Sequence, residues 1–129
     1  MKKTKKNIAT MAIIGGLVVT GCFGNVSADI ASNSSIGEVR ILTGRKTAKA
    51  TTTISTAAKP ANGFSAYAKI TTWNTNGVER SEFKQAYASS VAVSRTASGS
   101  NKFKSARGTH IEYQGGNPLI TETTHVAFD

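Results

Sequence analysis

Apolar and polar side chains alternate through residues 64–73, and this alternation is the clearest structural signal in the chain. Because successive side chains of a β-strand point to opposite faces, it places Tyr67, Lys69 and Trp73 together on one face. An Asn-Gly turn signal follows, and a second alternating stretch returns after it. Residues 64–96 are therefore predicted to form one long antiparallel hairpin whose return arm contains a β-bulge.

Shorter β-like stretches lie on both sides of this hairpin. β-Branched residues, which suit a pleated surface better than a helix, dominate residues 47–56, and Pro60 and Gly63 end that stretch. The pattern predicts an all-β fold, a small antiparallel β-sandwich or barrel of about six to seven short strands preceded by a signal peptide. The predicted strands outside the hairpin cover residues 38–43, 47–56, 102–104, 109–113 and 119–128. The large side chains expected in the core are Val39, Ile41, Ile54, Phe64, Ile70, Phe83, Val91, Val93, Ile111, Ile120 and Val126.

Residues 1–28 have the features of an export signal. Four lysines precede an apolar run that is too short to span a bilayer, as in bacterial signal peptides. The sequence before Asp29 ends in Val26-Ser27-Ala28, which suits signal peptidase, whereas Cys22 lies where the lipobox of bacterial lipoproteins has its acylated residue. We favour cleavage after Ala28, with lipoprotein cleavage before Cys22 as the alternative. The protein is thus predicted to be exported, either secreted or lipid-anchored at the cell surface through Cys22.

Composition divides the rest of the chain. Residues 29–37 are small, polar and aperiodic, which predicts a flexible lead-in, and residues 38–129 are predicted to form a single domain. From residue 29 onwards, twelve Lys and Arg face seven Asp and Glu, so the net charge is 12 − 7 = +5. All twelve basic residues, but only two acidic ones, fall within residues 39–111. A basic middle favours an anionic cell-wall polymer or membrane surface as partner, while a basic surface that only confers solubility is an equally good interpretation.

Side chains that could carry catalysis are few. His110 and Glu112 share a strand face, and His125 lies near Glu122, so ligand types that zinc accepts are present without a motif that places a third ligand. We favour ordinary surface or cross-strand pairing for these residues. The sequence has no nucleophile elbow, no phosphate-binding loop and no dinucleotide fingerprint, which argues against an enzyme and against a cofactor.

Aromatic residues interspersed among the cations are the remaining candidates for a binding surface. Aromatic rings beside cations on one sheet face can stack on sugar rings or lie at a lipid interface. Trp73 is the most suggestive of them, and the sequence leaves open whether its ring is exposed or belongs to the core. The candidate ligand-binding residues are Tyr67, Lys69, Trp73, Arg95, Lys102, Lys104 and Arg107.

One part of the sequence resembles the small cationic secreted bacteriocins of the lactococcin type from Gram-positive bacteria. It consists of Ser90-Val-Ala-Val-Ser-Arg-Thr96, then Ser98-Gly-Ser-Asn101, and an aromatic end at Tyr113. The Trp- and His-rich opening of that group is missing. The resemblance implies an exported, cysteine-free β-sandwich, and we transfer no site residue from it.

Two functions of different classes follow from these features. The first is an exported cationic protein that binds an anionic component of the cell envelope, as a bacteriocin-like antagonist or a surface adhesion module. The alternative is a structural surface protein that assembles with copies of itself, and a metal-dependent enzyme is a distant third. Nucleic acid is not an expected partner, because no RNA- or DNA-binding motif is present.

Export is tested by the mass of the mature protein. Because a signal peptide is removed during secretion, mass spectrometry should find either an N-terminus at Asp29 or a diacylglyceryl group on Cys22. Cys22→Ala separates the two routes, since it should release a lipid-anchored protein into the medium and leave a peptidase-cleaved one unchanged. An intact chain beginning at Met1 in the cytoplasm would contradict export.

Overall fold

A computed structural model describes residues 29–128 of the chain. The predicted signal peptide and the candidate lipidation site at Cys22 lie outside the described residues. Residues 29–128 contain eight strands: β1 (Ile30–Asn33), β2 (Gly37–Ile41), β3 (Thr47–Thr53), β4 (Phe64–Asn74), β5 (Glu79–Ala86), β6 (Ser90–Thr96), β7 (Phe103–Gln114) and β8 (Asn117–Ala127). A short 3-10 helix, Pro60–Asn62, precedes β4.

The strands form two four-stranded antiparallel sheets. The order of the first sheet is β1-β2-β3-β6, and the order of the second is β5-β4-β7-β8. The all-β, antiparallel prediction is confirmed, with eight strands in place of six to seven. The difference arises because β1 was not predicted, the return arm of the long hairpin is two strands, and two predicted stretches merge into β7. No helix among residues 29–128 is long and apolar enough to cross a membrane.

The prediction of a flexible lead-in over residues 29–37 is wrong. Ile30 pairs with Ile41 and Asn33 with Glu38, so β1 is the edge strand of the first sheet. Asp29 accepts hydrogen bonds from the backbone N–H and the hydroxyl of Thr43. Backbone pairing therefore orders a stretch whose small polar side chains carry no periodic signal.

The long hairpin is confirmed in its first part and wrong in its second. β4 and β5 pair without a register shift, and the turn contains Gly77 at φ 87°, whose N–H donates to the Asn74 carbonyl over 2.8 Å. The predicted bulge is absent from this pairing. After Ala86 the chain crosses to the first sheet, where β6 pairs with β3. Because β5 and β6 belong to different sheets, alternation does not continue from one to the other. Val91 is therefore buried, while Phe83, predicted to be core, is 67% exposed.

The core consists of apolar side chains from both sheets in one continuous cluster. Phe103, Ile41 and Ile70 are its largest fully buried members, and alanines fill most of the remaining inward positions. Of the predicted core residues, those buried are Val39, Ile41, Ile54, Ile70, Val91, Val93 and Val126. Phe103 was not among them, because a single aromatic between two lysines gives a weak sequence signal.

His110 is a polar member of this interior. Its ring is fully buried on β7, with Nδ1 2.9 Å from the Thr52 hydroxyl of the first sheet and Nε2 2.8 Å from the Thr124 hydroxyl of β8. The ring also lies where a Cβ at residue 37 would stand, so Gly37 is required for this approach. Hydrogen bonds to both nitrogens satisfy the imidazole and link the two sheets across the core.

Acid is expected to destabilise the protein through His110. Burial lowers the pKa of His110 from 6.5 to about 4, against a smaller opposing effect of Glu122 and Glu38. The unfolded chain therefore binds more protons than the folded one between these values. The stabilisation is complete above about pH 6.5 and is lost as the pH falls towards 4, by about 3 kcal/mol in the free energy of unfolding. Denaturant titrations between pH 7 and pH 4 measure this loss.

A matched pair of variants assigns the effect. His110→Gln should remove most of the pH dependence, whereas His125→Gln, at an exposed position, should retain most of it. Ring proton shifts of His110 that titrate near the ordinary value would contradict the assignment.

Candidate functional site: the outer face of the second sheet

The candidate site lies on the face of the second sheet that points away from the core, which we call the outer face. The odd-numbered side chains of β4 lie on it, because most of their even-numbered neighbours are fully buried in the core. Residues opposite each other in an antiparallel pair share a face, so the registers with β7 and β8 add Arg107 and His125. Tyr67, Lys69 and Trp73 thus share one face with two further titratable side chains.

Three aromatic rings form a strip across one end of the outer face. The rings of Tyr67 and Phe83 are stacked at 5.6 Å between centroids, and Tyr113 meets Tyr67 edge-on at 6.4 Å. Burial among these rings, and then the neighbouring Tyr113 hydroxyl, raise the pKa of Tyr67. Lys69 lies opposite Phe83 in the register, so a cation borders the strip.

Trp73 lies near the other end of β4 and belongs to the outer face rather than to the core. Its side chain is half-buried, and Nε1 donates to the Glu79 carboxylate over 3.0 Å. The Arg107 guanidinium lies over the ring, with Cζ 5.3 Å from a ring centroid, in cation–π geometry. The hydrogen bond and the stacked cation together fix the position of the indole.

A groove of about 320 Å³ opens beside Trp73. Its other lining residues are Asn74, Thr75, Gly77, Lys104, Ser105, Arg107 and His125. Lys104 reaches the groove because the register between β4 and β7 shifts there. Trp73 pairs with Ser105 and Asn74 pairs with Phe103, so Lys104 is an extra residue without a partner on β4. A β-bulge of this kind redirects a side chain that regular alternation would point inward.

Among the described residues, the cations of the groove differ from two others, Arg40 and Arg95, in having no carboxylate partner. Within residues 29–128, neither Lys104 nor Arg107 is in an ion pair. By contrast, Arg40 bridges to Glu38 and Asp29, with the Glu38 contact at 2.9 Å. An unpaired cation can accept an anion without first breaking an internal salt bridge.

His125 forms part of the groove wall. Desolvation by the surrounding protein atoms, followed by the charge of Arg107, lowers the pKa of His125. At neutral pH its imidazole is therefore uncharged, and each ring nitrogen is a hydrogen-bond donor or acceptor according to the tautomer. The positive charge of the groove thus comes from Lys104 and Arg107.

The structure brings together five of the seven predicted ligand-binding residues on or beside the outer face: Tyr67, Lys69, Trp73, Lys104 and Arg107. Arg95 is elsewhere, since it shares the inward side of β6 with Val91 and Val93, and its guanidinium bridges to Glu82 at 2.7 Å. Lys102 is exposed next to the hairpin turn, where its carbonyl accepts from the Thr75 N–H, and its side chain does not line the groove.

Sequence reasoning missed His125 and Ser105 as groove residues. The sequence indicates only a metal-ligating role as an alternative for His125, and Ser105 belongs to no motif. The registers of β7 with β4 and with β8 place His125 and Ser105 beside Trp73. No local sequence pattern predicts these registers.

The residues considered for zinc are separated by the sheet. His110 and Glu112 point into the core, where Glu112 accepts from the Ser55 N–H over 2.8 Å, whereas His125 is on the outer face. Burial raises the pKa of Glu122, but hydrogen bonds from Ser35 and its neighbours outweigh this and lower it overall. Among residues 29–128, no group of three or more His, Cys, Asp or Glu side chains could hold a metal ion.

No protein-family model, no curated protein and no solved structure matches this chain. What bears on function is therefore the geometry of the outer face and its groove.

Replacing Trp73 should cost less stability than replacing a core aromatic. Because the indole is half-buried on the outer face, Trp73→Ala is expected to lower the free energy of unfolding by about 1–2 kcal/mol, below the roughly 3–5 kcal/mol of a buried aromatic. Phe103→Ala is the matched core variant and should show the larger loss. Equal losses in thermal or denaturant melts of the two variants would place Trp73 in the core.

Proposed function

We propose that this protein is an exported cationic β-sandwich that binds an anionic component of the cell envelope through the outer face of its second sheet. The proposal includes removal of the N-terminal segment during export and a binding role rather than an enzymatic one. A bacteriocin-like antagonist and a surface adhesion module are the two forms of this function.

The stacking of Arg107 on Trp73 is the observation that carries the proposal. Without a carboxylate partner among residues 29–128, the guanidinium keeps its charge available to a ligand. The ring also restricts its conformations, so less side-chain entropy is lost when an anion binds. Arg107 is therefore better suited to anion capture than a freely mobile surface cation.

The second candidate function, assembly with further copies of this chain, is favoured by one observation at the edge of the second sheet. From Glu79 to Gln85 every residue of β5 is exposed, and Phe83 and Tyr87 are 67% and 71% exposed. Within residues 29–128, β5 pairs only with β4, so its outer backbone groups are available for pairing with another strand.

Binding to isolated cell envelopes tests the first function. The protein should sediment with envelope fragments at low salt and dissociate at high salt, since screening weakens contacts between exposed charges. Arg107→Gln should reduce the bound fraction by about tenfold, the effect expected for one charge-assisted contact. Lys49→Gln is the matched control, because it removes one positive charge from an exposed position on the first sheet.

Two outcomes would contradict this function. One is sedimentation that does not depend on salt, and the other is equal binding by the Arg107 and Lys49 variants. A salt-insensitive oligomer on size exclusion would favour assembly instead.

A further inference from the structure

We infer that the groove between Trp73, Lys104, Arg107 and His125 is a phosphate site, occupied by one phosphodiester of a linear polyol- or sugar-phosphate polymer. The inference rests on the proposed function and names the chemical class of its ligand. The polymer would lie along β4, on the outer face, and extend from the groove towards Lys69.

The first support is the set of donors around the groove. Arg107 presents a planar fork of N–H groups and Lys104 a compact ammonium, while Asn74, Thr75 and Ser105 add an amide and two hydroxyls. These groups come from the end of β4, from the hairpin turn and from β7. Donors arriving from several directions suit the tetrahedral oxygens of a phosphate better than the planar oxygens of a carboxylate.

The second support is that the backbone of the groove is fixed before any ligand arrives. The Thr75 N–H donates to the Lys102 carbonyl over 3.0 Å, which ties the hairpin turn to the start of β7. The Asn74 N–H donates to the Val78 carbonyl, also over 3.0 Å, and closes the turn itself. Fixed walls lower the cost of binding, because little chain entropy remains to be lost.

The third support is the position of Lys69. Lys69 lies on the same face of β4 as Trp73 and precedes it by four residues. This separation is about 13 Å along an extended strand. Within residues 29–128, Lys69 likewise has no carboxylate partner. A further unpaired cation in line with the groove suits a ligand that carries repeated negative charges.

A linear polymer fits this arrangement better than a membrane surface does. Lys104 and Arg107 are exposed at a shallow groove between the hairpin turn and β8, and Lys69 follows about 13 Å further along β4, so these cations lie in a line, as the charges of a single chain do. The aromatic strip lies about 20 Å from Trp73 along β4 and continues the same track.

Trp73 provides the readout, because it is the only tryptophan in the protein. Titration with a purified poly(glycerol phosphate) should change its fluorescence saturably, and inorganic phosphate should compete at higher concentration. Arg107→Gln and Lys104→Gln should each raise the dissociation constant by about tenfold or more. Arg107→Lys should recover only part of the loss, since a point charge replaces the fork. Lys49→Gln should bind like the unmodified protein.

Two comparison ligands test the assignment of class. Polygalacturonate carries carboxylates at similar spacing along a sugar chain, and phosphatidylglycerol vesicles present the same phosphodiester as a surface. Both should bind at least about tenfold more weakly than the poly(glycerol phosphate), because each would lose at least one charge-assisted contact. Equal or tighter binding of polygalacturonate would overturn the choice of phosphate, and equal or tighter binding of vesicles would overturn the choice of a polymer.

The outcomes separate this inference from the proposed function. If envelopes bind and depend on Arg107 while the phosphate polymer leaves Trp73 fluorescence unchanged, the phosphate site is wrong and the envelope function stands. If the polymer binds with the predicted dependence on Arg107 and Lys104 while envelopes do not, the phosphate site stands and the envelope function is wrong.

Discussion

The pairing of β4 with β7 is the constraint on which the rest of the structure depends. Its regular register runs from Phe64 opposite Gln114 to Trp73 opposite Ser105, and it sets both faces of the second sheet at once. Inward, it places Ile70 and Ala106 in the core, and outward it places Trp73 beside Arg107. A slip of one residue would exchange these faces, so the packing of the core also holds the groove in place.

One departure from that register gives the groove its second cation. The bulge after Trp73 leaves Lys104 unpaired in the ladder and turns its side chain towards the indole. The bulge interrupts regular pairing near the end of β4, next to Phe103, which is the largest fully buried side chain of the core. The candidate site therefore lies at the β-bulge, where the sheet is irregular, next to a rigid part of the fold.

The distribution of ion pairs divides the basic residues into two groups. Arg40 and Arg95 are tied to carboxylates, and the pair between Arg95 and Glu82 joins the exposed edges of the two sheets. Such partly exposed pairs add little stability, but they occupy these cations. The other ten basic residues have no carboxylate partner among residues 29–128, and three of them, Lys69, Lys104 and Arg107, lie on or beside the outer face. The net charge of the sequence did not distinguish the two groups.

The sequence by itself determined the all-β class, the β4–β5 turn at Gly77 and the face shared by Tyr67, Lys69 and Trp73. These features follow from period-two alternation and from the freedom of glycine at positive φ, which are local properties. Only the tertiary structure decided that the chain changes sheets after Ala86, which exposes Phe83 and turns Arg95 inward. It alone also decided that β7 brings Arg107 to Trp73, because strand order and register depend on side chains distant in sequence that meet in one shared core.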